Sequence, residues 1–174
     1  MTKKTLTALL VSCGLAASAS AIVTSFEAGY LIDSEAEYLT ARIGLPVASS
    51  ETRSHLFELE LGHTDFTDSG VKSRLTPLTL NYRLETAGQG PWGFYAGAGV
   101  GAARTRVQIG GLGFSRSDNA FAAQGFAGVS YQAGPSTKLT LGAKYLWIHE
   151  IDIFGTSIEV GDDVAVSLGV SFRF

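Results

Sequence analysis

Residues 164–174 read VAVSLGVSFRF. Val164, Val166, Leu168, Val170, Phe172 and Phe174 are apolar, while Ala165, Ser167, Gly169, Ser171 and Arg173 between them are small or polar. Successive side chains of a strand point to opposite faces, so as a strand this segment is apolar along the whole of one side. The rhythm has period two, not the 3.6 of a helix.

The same zigzag recurs upstream. Leu139, Leu141, Ala143, Tyr145 and Trp147 alternate with Lys138, Thr140, Gly142 and Lys144. Phe57, Leu59 and Leu61 oppose Leu56, Glu58 and Glu60; Leu39, Ala41, Ile43 and Leu45 oppose Tyr38, Thr40, Arg42 and Gly44. Leu78, Leu80, Tyr82 and Leu84 oppose Thr79, Asn81, Arg83 and Glu85. Eight segments in all, near 22–32, 36–46, 54–64, 73–85, 93–106, 119–132, 137–149 and 163–174, are long enough for a tilted membrane strand of about 9–11 residues. In the fifth, Gly97, Gly99 and Gly101 share a face with Tyr95. Those glycines are expected to face inward and leave room for long side chains from opposite strands.

Alternation alone does not say which face is inside. A soluble barrel or sandwich turns its apolar face to a core, whereas a transmembrane barrel turns it to lipid and fills its lumen with the polar face. Three features favour the membrane. A strand closing on an aromatic carboxyl terminus, with Val170, Phe172 and Phe174 at steps of two, resembles the insertion signal read by the outer-membrane assembly machinery. The connections at 47–53, 87–91 and 133–136 are short, while 64–72, 108–118 and 150–162 are longer and polar or Gly-rich, as on the two rims of an outer-membrane barrel; the short loop at 33–35 departs from the rule. Tyr82, Trp92, Phe94 and Tyr131 fall beside the short turns, and Tyr145, Trp147 and Phe154 approach the last long loop, which matches interfacial girdles. The expected fold class is therefore all-β, an eight-stranded antiparallel up-and-down transmembrane β-barrel. A lipocalin-like soluble barrel, with its apolar face turned inward, is the competing reading.

The N-terminal stretch belongs to a different unit. Lys3 and Lys4 precede an apolar run from Leu6 to about Ala17, and Ala19, Ser20 and Ala21 form a small-residue cleavage site. That is the pattern of a secretory signal peptide, too short and Ser-rich for the ~20 apolar residues of a spanning helix. The expected division is a cleaved signal at 1–21 and a barrel domain at 22–174. Leu10-Val11-Ser12-Cys13 resembles a lipobox, but the residues after Cys13 stay apolar instead of opening a polar tether. Of the chain's 13 Lys and Arg, removal of Lys3 and Lys4 leaves 11 against 16 Asp and Glu, a net charge of −5. An acidic chain argues against a nucleic-acid partner, which needs a basic face. Cleavage would also discard the single cysteine, and with it any disulfide or thiolate metal site.

Residues 93–104 (GFYAGAGVGAAR), 139–145 (LTLGAKY) and 170–174 (VSFRF) resemble the outer-membrane β-barrel domain shared by the OmpX/OmpA-type and opacity-type proteins, small porin-like barrels. The resemblance covers essentially the whole of 22–174. It implies residence in the bacterial outer membrane as a monomer, contact with outer-membrane lipid and lipopolysaccharide, and assembly through the C-terminal strand. It also implies extracellular loops with a surface-interaction role, adhesion-like, toward a host or envelope ligand in some members. No counterpart of the peptidoglycan-binding domain of two-domain relatives is expected.

On these parities Glu27, Arg42, Glu58, Glu60, Arg83, Lys144 and Arg173 point into the lumen, three acidic and four basic groups. Charges in so narrow a space must pair, since an unpaired buried charge costs several kcal/mol. The set suggests an ion-paired interior, not an open channel, because wide pores typically need ~16 strands. The alternative is a narrow passage for small or apolar solutes. No enzyme activity and no cofactor is expected. Small barrels resembling lipid A deacylases carry a serine and a histidine close together near a late strand, but His149 is followed by Glu150 and Ile151, and nothing pairs His55 or His63 with a serine. Asp65, Asp68, Asp162 and Asp163 read as acidic loop residues without the ligand spacing of an EF-hand. The glycines at 110, 111 and 113 precede no helix and form a loop tip, not a phosphate cradle.

Cleavage after Ala21 predicts an exported protein beginning at Ile22. Intact-mass measurement checks it, and an acylated N-terminus at Cys13 is the contrary result.

Overall fold

The computed structural model describes residues 22–68, 71–88, 90–109, 114–149, 151–153, 156–158 and 162–174. The expected signal segment with Cys13, the glycines at 110–113 and Phe154 lie outside the described residues. Among the described residues ten strands follow in order: β1 (Val23–Leu31), β2 (Ala36–Ser49), β3 (Arg53–Asp68), β4 (Val71–Ala87), β5 (Trp92–Ile109), β6 (Phe114–Gly134), β7 (Thr137–Ile148), β8 (Ile151–Ile153), β9 (Thr156–Ile158) and β10 (Asp162–Arg173). Eight of them close a ring in the order β1-β10-β7-β6-β5-β4-β3-β2, and β8 and β9 form a separate two-stranded sheet between β7 and β10.

Each neighbour in the ring is antiparallel, and the last strand meets the first from Val23 opposite Arg173 to Leu31 opposite Ala165. The seam continues at its end, where the Phe174 amide donates to the Ile22 carbonyl at 3.0 Å. One gap in the ladder has a covalent cause. Between β3 and β4 the pairing runs through Leu61–Leu78 and resumes at Thr64–Leu75. Pro77 lies in that gap and has no N–H to give.

The faces sort as an inside-out protein. Leu168 is 66% exposed and Phe94 59%, whereas Arg42 is 2% and Arg83 and Glu58 are 1% exposed. Every apolar row read from the alternation faces outward on β2, β3, β4, β7 and β10, and its polar row faces the bore. A surface this apolar over its whole circumference belongs in hydrocarbon, since the largest apolar patch of a typical soluble monomer covers only about 300–600 Å². Aromatic pairs mark its two borders. Trp92 and Tyr131 meet edge-on at 5.0 Å and Phe57 lies 5.6 Å from Tyr82 near the short turns. Phe121 and Trp147 meet at 5.9 Å at the opposite end.

The long connections depart from the expectation. The stretches 64–72 and 108–118 are for the most part strand. β3 and β4 pair out to Asp68–Val71, and β5 and β6 out to Ile109–Phe114. β3–β6 therefore run on as a four-stranded sheet beyond the ends of β1 and β7. Continuous cross-strand pairing lets polar residues stay extended once the backbone is already in register. Asp163 is also not a loop residue. It is buried in β10, where its carboxylate accepts from the Asp33 and Ser34 amides at 3.0 and 2.9 Å, holding the tight β1–β2 turn in which Glu35 takes a positive φ of 48°.

Leu168 sits midway along the outward row of β10. Leu168→Arg is expected to lower stability by about 2–4 kcal/mol, and Val164→Arg near the rim by at most about 1 kcal/mol. Urea unfolding from phospholipid vesicles checks both; equal costs at the two depths would contradict a lipid-facing row.

Candidate functional site

The bore is built from the inward positions of all eight ring strands. β1 contributes Glu27, β2 Tyr38 and Arg42, β3 Glu58 and Glu60, β4 Asn81, Arg83 and Glu85, β5 Tyr95, β6 Gln124 and Phe126, β7 Lys138 and Lys144, and β10 Ser167 and Ser171. The parity of each strand turns these side chains inward, and the register of the ladders sets the height at which they meet.

Their charges form one connected chain. The Arg42 guanidinium donates to Glu27 and lies 3.5 Å from Glu60 and 3.9 Å from Glu58. Lys144 donates to the other Glu60 oxygen. Arg83 stands 3.8 Å from Glu58 and 2.9 Å from Glu85, and Lys138 reaches Glu85 at 2.6 Å. Among the described residues this network holds four carboxylates and four cations, so it is formally neutral. Neutral partners fill in around it. Asn81 donates to Glu60 at 3.3 Å, Gln124 donates to Thr79 and Asn81 at 3.0 and 2.8 Å, and Ser167 donates to Glu27 at 3.3 Å.

Aromatic rings pack the remaining width. The Arg83 guanidinium lies 3.9 Å from the centroid of Tyr95, and the Lys144 ammonium 5.3 Å from that of Tyr38, cation–π distances at which a desolvated pair gains about 2 kcal/mol. The inward glycines make this possible. A methyl group at Gly128 or Gly142 would overlap the Tyr95 phenol, and one at Gly97 would overlap Phe126.

Above the charged layer apolar side chains fill much of the bore, beside the buried hydroxyls of Thr64 and Thr105. Leu75, Ala103, Ala120, Ala122, Leu146 and Ile148 form one buried cluster, and Leu31, Ala36, Tyr38 and Ala165 a second. Both lie toward the end where the β3–β6 sheet projects. At the opposite end, among the short turns, a polar cavity of about 310 Å³ opens between Arg53, Glu85, Trp92, Gln132 and Lys138. The larger hollow, about 630 Å³, is outside the bore. It is a groove on the lipid-facing wall over Ala28 and Ala41, flanked by Phe26, Leu39, Leu61, Leu168 and Val170.

Six of the seven residues expected in the lumen lie buried in the bore: Glu27, Arg42, Glu58, Glu60, Arg83 and Lys144. Arg173 does not join them. Its parity is inward, but it is the last residue of β10 and is exposed at the mouth, where strand ends open to water. Glu85 and Lys138 complete the ion pairing in its place. Both stood in the polar rows of their segments, so the alternation held the signal for them. Phe126, in an uncharged run of small residues, gave no such sign.

The remaining polar candidates are engaged elsewhere. His55 hydrogen-bonds the Tyr82 hydroxyl, His63 lies 3.8 Å from Asp65, and the His149 ring lies tilted beside Trp147 at 5.8 Å. His63 stands within β3 and not at its end. Asp162 accepts from the Tyr145 hydroxyl. Arg74 donates to both Asp65 oxygens at 2.7 and 3.2 Å, and this carboxylate raises the Arg74 pKa above its ordinary value. The Asp68 side chain lies outside the described residues.

No protein-family model matches the chain, and no curated protein sequence is similar to it. Solved structures are. Neisserial surface protein A (NspA) superposes with a TM-score of 0.64 at 18% identity, covering 89% of this chain and 96% of that one. Ail, the attachment invasion locus protein of Yersinia pestis, gives 0.58 at 13% over 89% and 97%. The N-terminal β-barrel domain of Pseudomonas aeruginosa OprF gives 0.56 at 17% over 88% and 97%. The likeness is one of fold: the protein is built as the small bacterial outer-membrane β-barrels are.

Glu60 joins Arg42, Lys144 and Asn81, so Glu60→Ala is expected to cost about 3–5 kcal/mol by leaving two buried cations short of a partner. Adding Lys144→Met should recover part of that loss, giving a coupling energy above about 0.5 kcal/mol. A double-mutant cycle by urea unfolding in vesicles measures it, and strict additivity would show the two groups to be independent.

Proposed function

We propose that the protein is an outer-membrane barrel with a sealed bore that acts through its projecting strands, as a structural or surface-interaction protein with an adhesion-like role. The observation that carries this reading is the filling of the bore. A neutral, mutually paired set of eight charged groups runs from the short-turn mouth to its middle, and apolar clusters narrow the end above them. An ion crossing would have to displace carboxylates and cations from each other and then pass the apolar clusters, where an unsolvated charge is costly. What is built outward is the opposite end. β3–β6 extend past the rim and the β8–β9 hairpin stands in the β7–β10 connection, which offers polar strand edges to a ligand. The similar barrel Ail is an attachment invasion locus protein, with a structure in complex with the heparin analogue sucrose octasulfate.

Two assembly features accompany the proposal. The signal at 1–21 is cleaved on export. Val170, Phe172 and Phe174 then serve as the strand read by the outer-membrane assembly machinery, the barrel remaining monomeric. Phe174 is 79% exposed at the end of the seam, accessible to such a reader.

The narrow-passage reading has one observation in its favour, the polar cavity among the short turns. That cavity is bounded by the Glu85–Lys138 pair.

Planar-bilayer recording of the purified protein is expected to give no steady current, and stable ohmic channels would favour the passage. Deleting residues 108–118 trims the β5–β6 tip. It should reduce attachment of expressing cells to host surfaces while leaving the heat-modifiable gel mobility of the barrel intact; unchanged attachment would remove this tip from the proposed surface.

A further inference from the structure

Outside the ion-paired network the described cations fall at the two ends of the barrel. Arg74, Arg104 and Arg106 face outward at the projecting end, where the outward carboxylates Glu37 and Asp162 stand around β2 and β10. Arg53 and Arg173 belong to the short-turn mouth. Arg173 differs from the others in direction. It has the inward parity of β10, two residues beyond Ser171, whose hydroxyl accepts from Ser25 inside the bore. The eight groups of the network neutralise one another, so Arg173 adds an unmatched positive charge to the bore. Among the described residues no carboxylate is in ion-pair contact with it. Glu85, whose charge reaches it, is already held by Arg83 at 2.9 Å and Lys138 at 2.6 Å.

Arg173 borders a preformed hollow. The polar cavity of about 310 Å³ and a cleft of about 50 Å³ beside it share Glu85, Gln132, Lys138 and Arg173 in their walls. Backbone hydrogen bonds carry the ladders into the turns that frame the opening. The Ala87 amide donates to Thr52 at 2.9 Å, that of Gln132 to Pro91 at 2.8 Å and that of Arg173 to Ser136 at 2.9 Å. The barrel itself thus sets the rim, and little ordering is left for a ligand to impose. The Glu85–Lys138 pair closes the hollow toward the middle of the bore. Ligand sites run from about 300 to 1,000 Å³, so a hollow of this size admits the end of a chain and not a folded segment.

Its wall supplies two complementary groups. The Arg173 guanidinium is a fork of donors that fits a carboxylate. Gln132 spends its side-chain N–H groups on the Gly134 and Thr137 carbonyls, which leaves its side-chain oxygen as an acceptor. A carboxylate beside an N–H is the chemistry of the last residue of a peptide. The charges of the lining agree with a monoanion. Arg53, Lys138 and Arg173 against Glu51 and Glu85 leave one net positive charge, a poor match for a dianionic phosphate.

The geometry assigns to this mouth a binding site for the free carboxylate end of a peptide, with the carboxylate on Arg173 and the adjoining peptide N–H on Gln132. The site lies at the end of the barrel away from the projecting strands and is independent of the surface role proposed above. Short turns of outer-membrane barrels face the periplasm, where such ends belong to protein tails or to the stem peptides of the cell wall.

Isothermal titration of the full barrel in detergent micelles tests the site, with N-acetyl-Ala-Ala as free acid or as amide. Wild type is expected to bind the acid at least about tenfold tighter, since the amide lacks the charge-assisted contact, and R173Q to lose that preference. R106Q at the projecting end should keep it. Q132L is expected to bring the acid down to the affinity of propionate, which has the carboxylate without the N–H. Heat-modifiable mobility verifies folding, and Q132L decides the matter if R173Q does not assemble. Equal binding of acid and amide by wild type, an unchanged preference in folded R173Q, or unchanged binding of the acid by folded Q132L overturns the proposal. So does propionate or inorganic phosphate binding to wild type as tightly as the acid. The chirality of the terminal alanine then separates the two sources, and either result supports the site. A preference for the D-form identifies cell-wall stem peptides, and a preference for the L-form protein tails.

Discussion

Hydrocarbon offers no partner to an unpaired N–H or C=O, so a sheet can cross a membrane only if it has no edge. The β1–β10 seam meets that demand, and much else follows from it. Closure fixes eight strands around a bore just wide enough for side chains. Once the ring is closed, the pleat assigns each residue within the membrane-spanning part of a strand to lipid or to lumen. The Pro77 gap shows how little slack remains. The one interruption between β3 and β4 coincides with a residue that has no donor to leave unsatisfied.

A lumen assigned in this way must accommodate what the sequence puts there. Arg42 serves three carboxylates, Arg83 two, and Glu60 receives two cations, so the groups are arranged as a network and not as isolated pairs. Burying such groups yields little net stability compared with apolar filling, while removing one member is costly. The network is thus better understood as fixing the register and shape of the barrel than as its source of stability. It works together with Tyr95, Tyr38 and Phe126, whose bulk is admitted by glycines on the facing strands. Neutral charge, packed rings and the apolar clusters above them are three separate reasons for the bore to be shut.

The outer surface is equally ordered. Apolar rows occupy the middle, aromatic pairs mark the borders, and polar strand extensions stand beyond one border only. On that side the charge is divided, arginines over β4 and β5 and carboxylates around β1, β2 and β10. A barrel with this rim presents different chemistry to the leaflet on each side, whichever ligand its tips contact.

Periodicity made most of the fold legible. A zigzag of apolar and polar residues determines which side chains share a face, and in the rows of Glu58 with Glu60, Arg42 with Thr40 and Lys144 with Thr140 it identified most of the charged groups of the bore before any strand was paired. Parity is local, and the sequence carries it residue by residue. Three things required the tertiary structure. The height of a residue in the barrel depends on register, which is why Arg173 shares the inward parity yet stands in water at the mouth, while Glu85 and Lys138 reach each other from β4 and β7. The length of β3 to β6 depends on cross-strand pairing, which keeps polar stretches extended where composition alone suggests loops. Contacts such as Asp163 with the β1–β2 turn join residues some 130 positions apart, and such meetings exist only once the ring has closed.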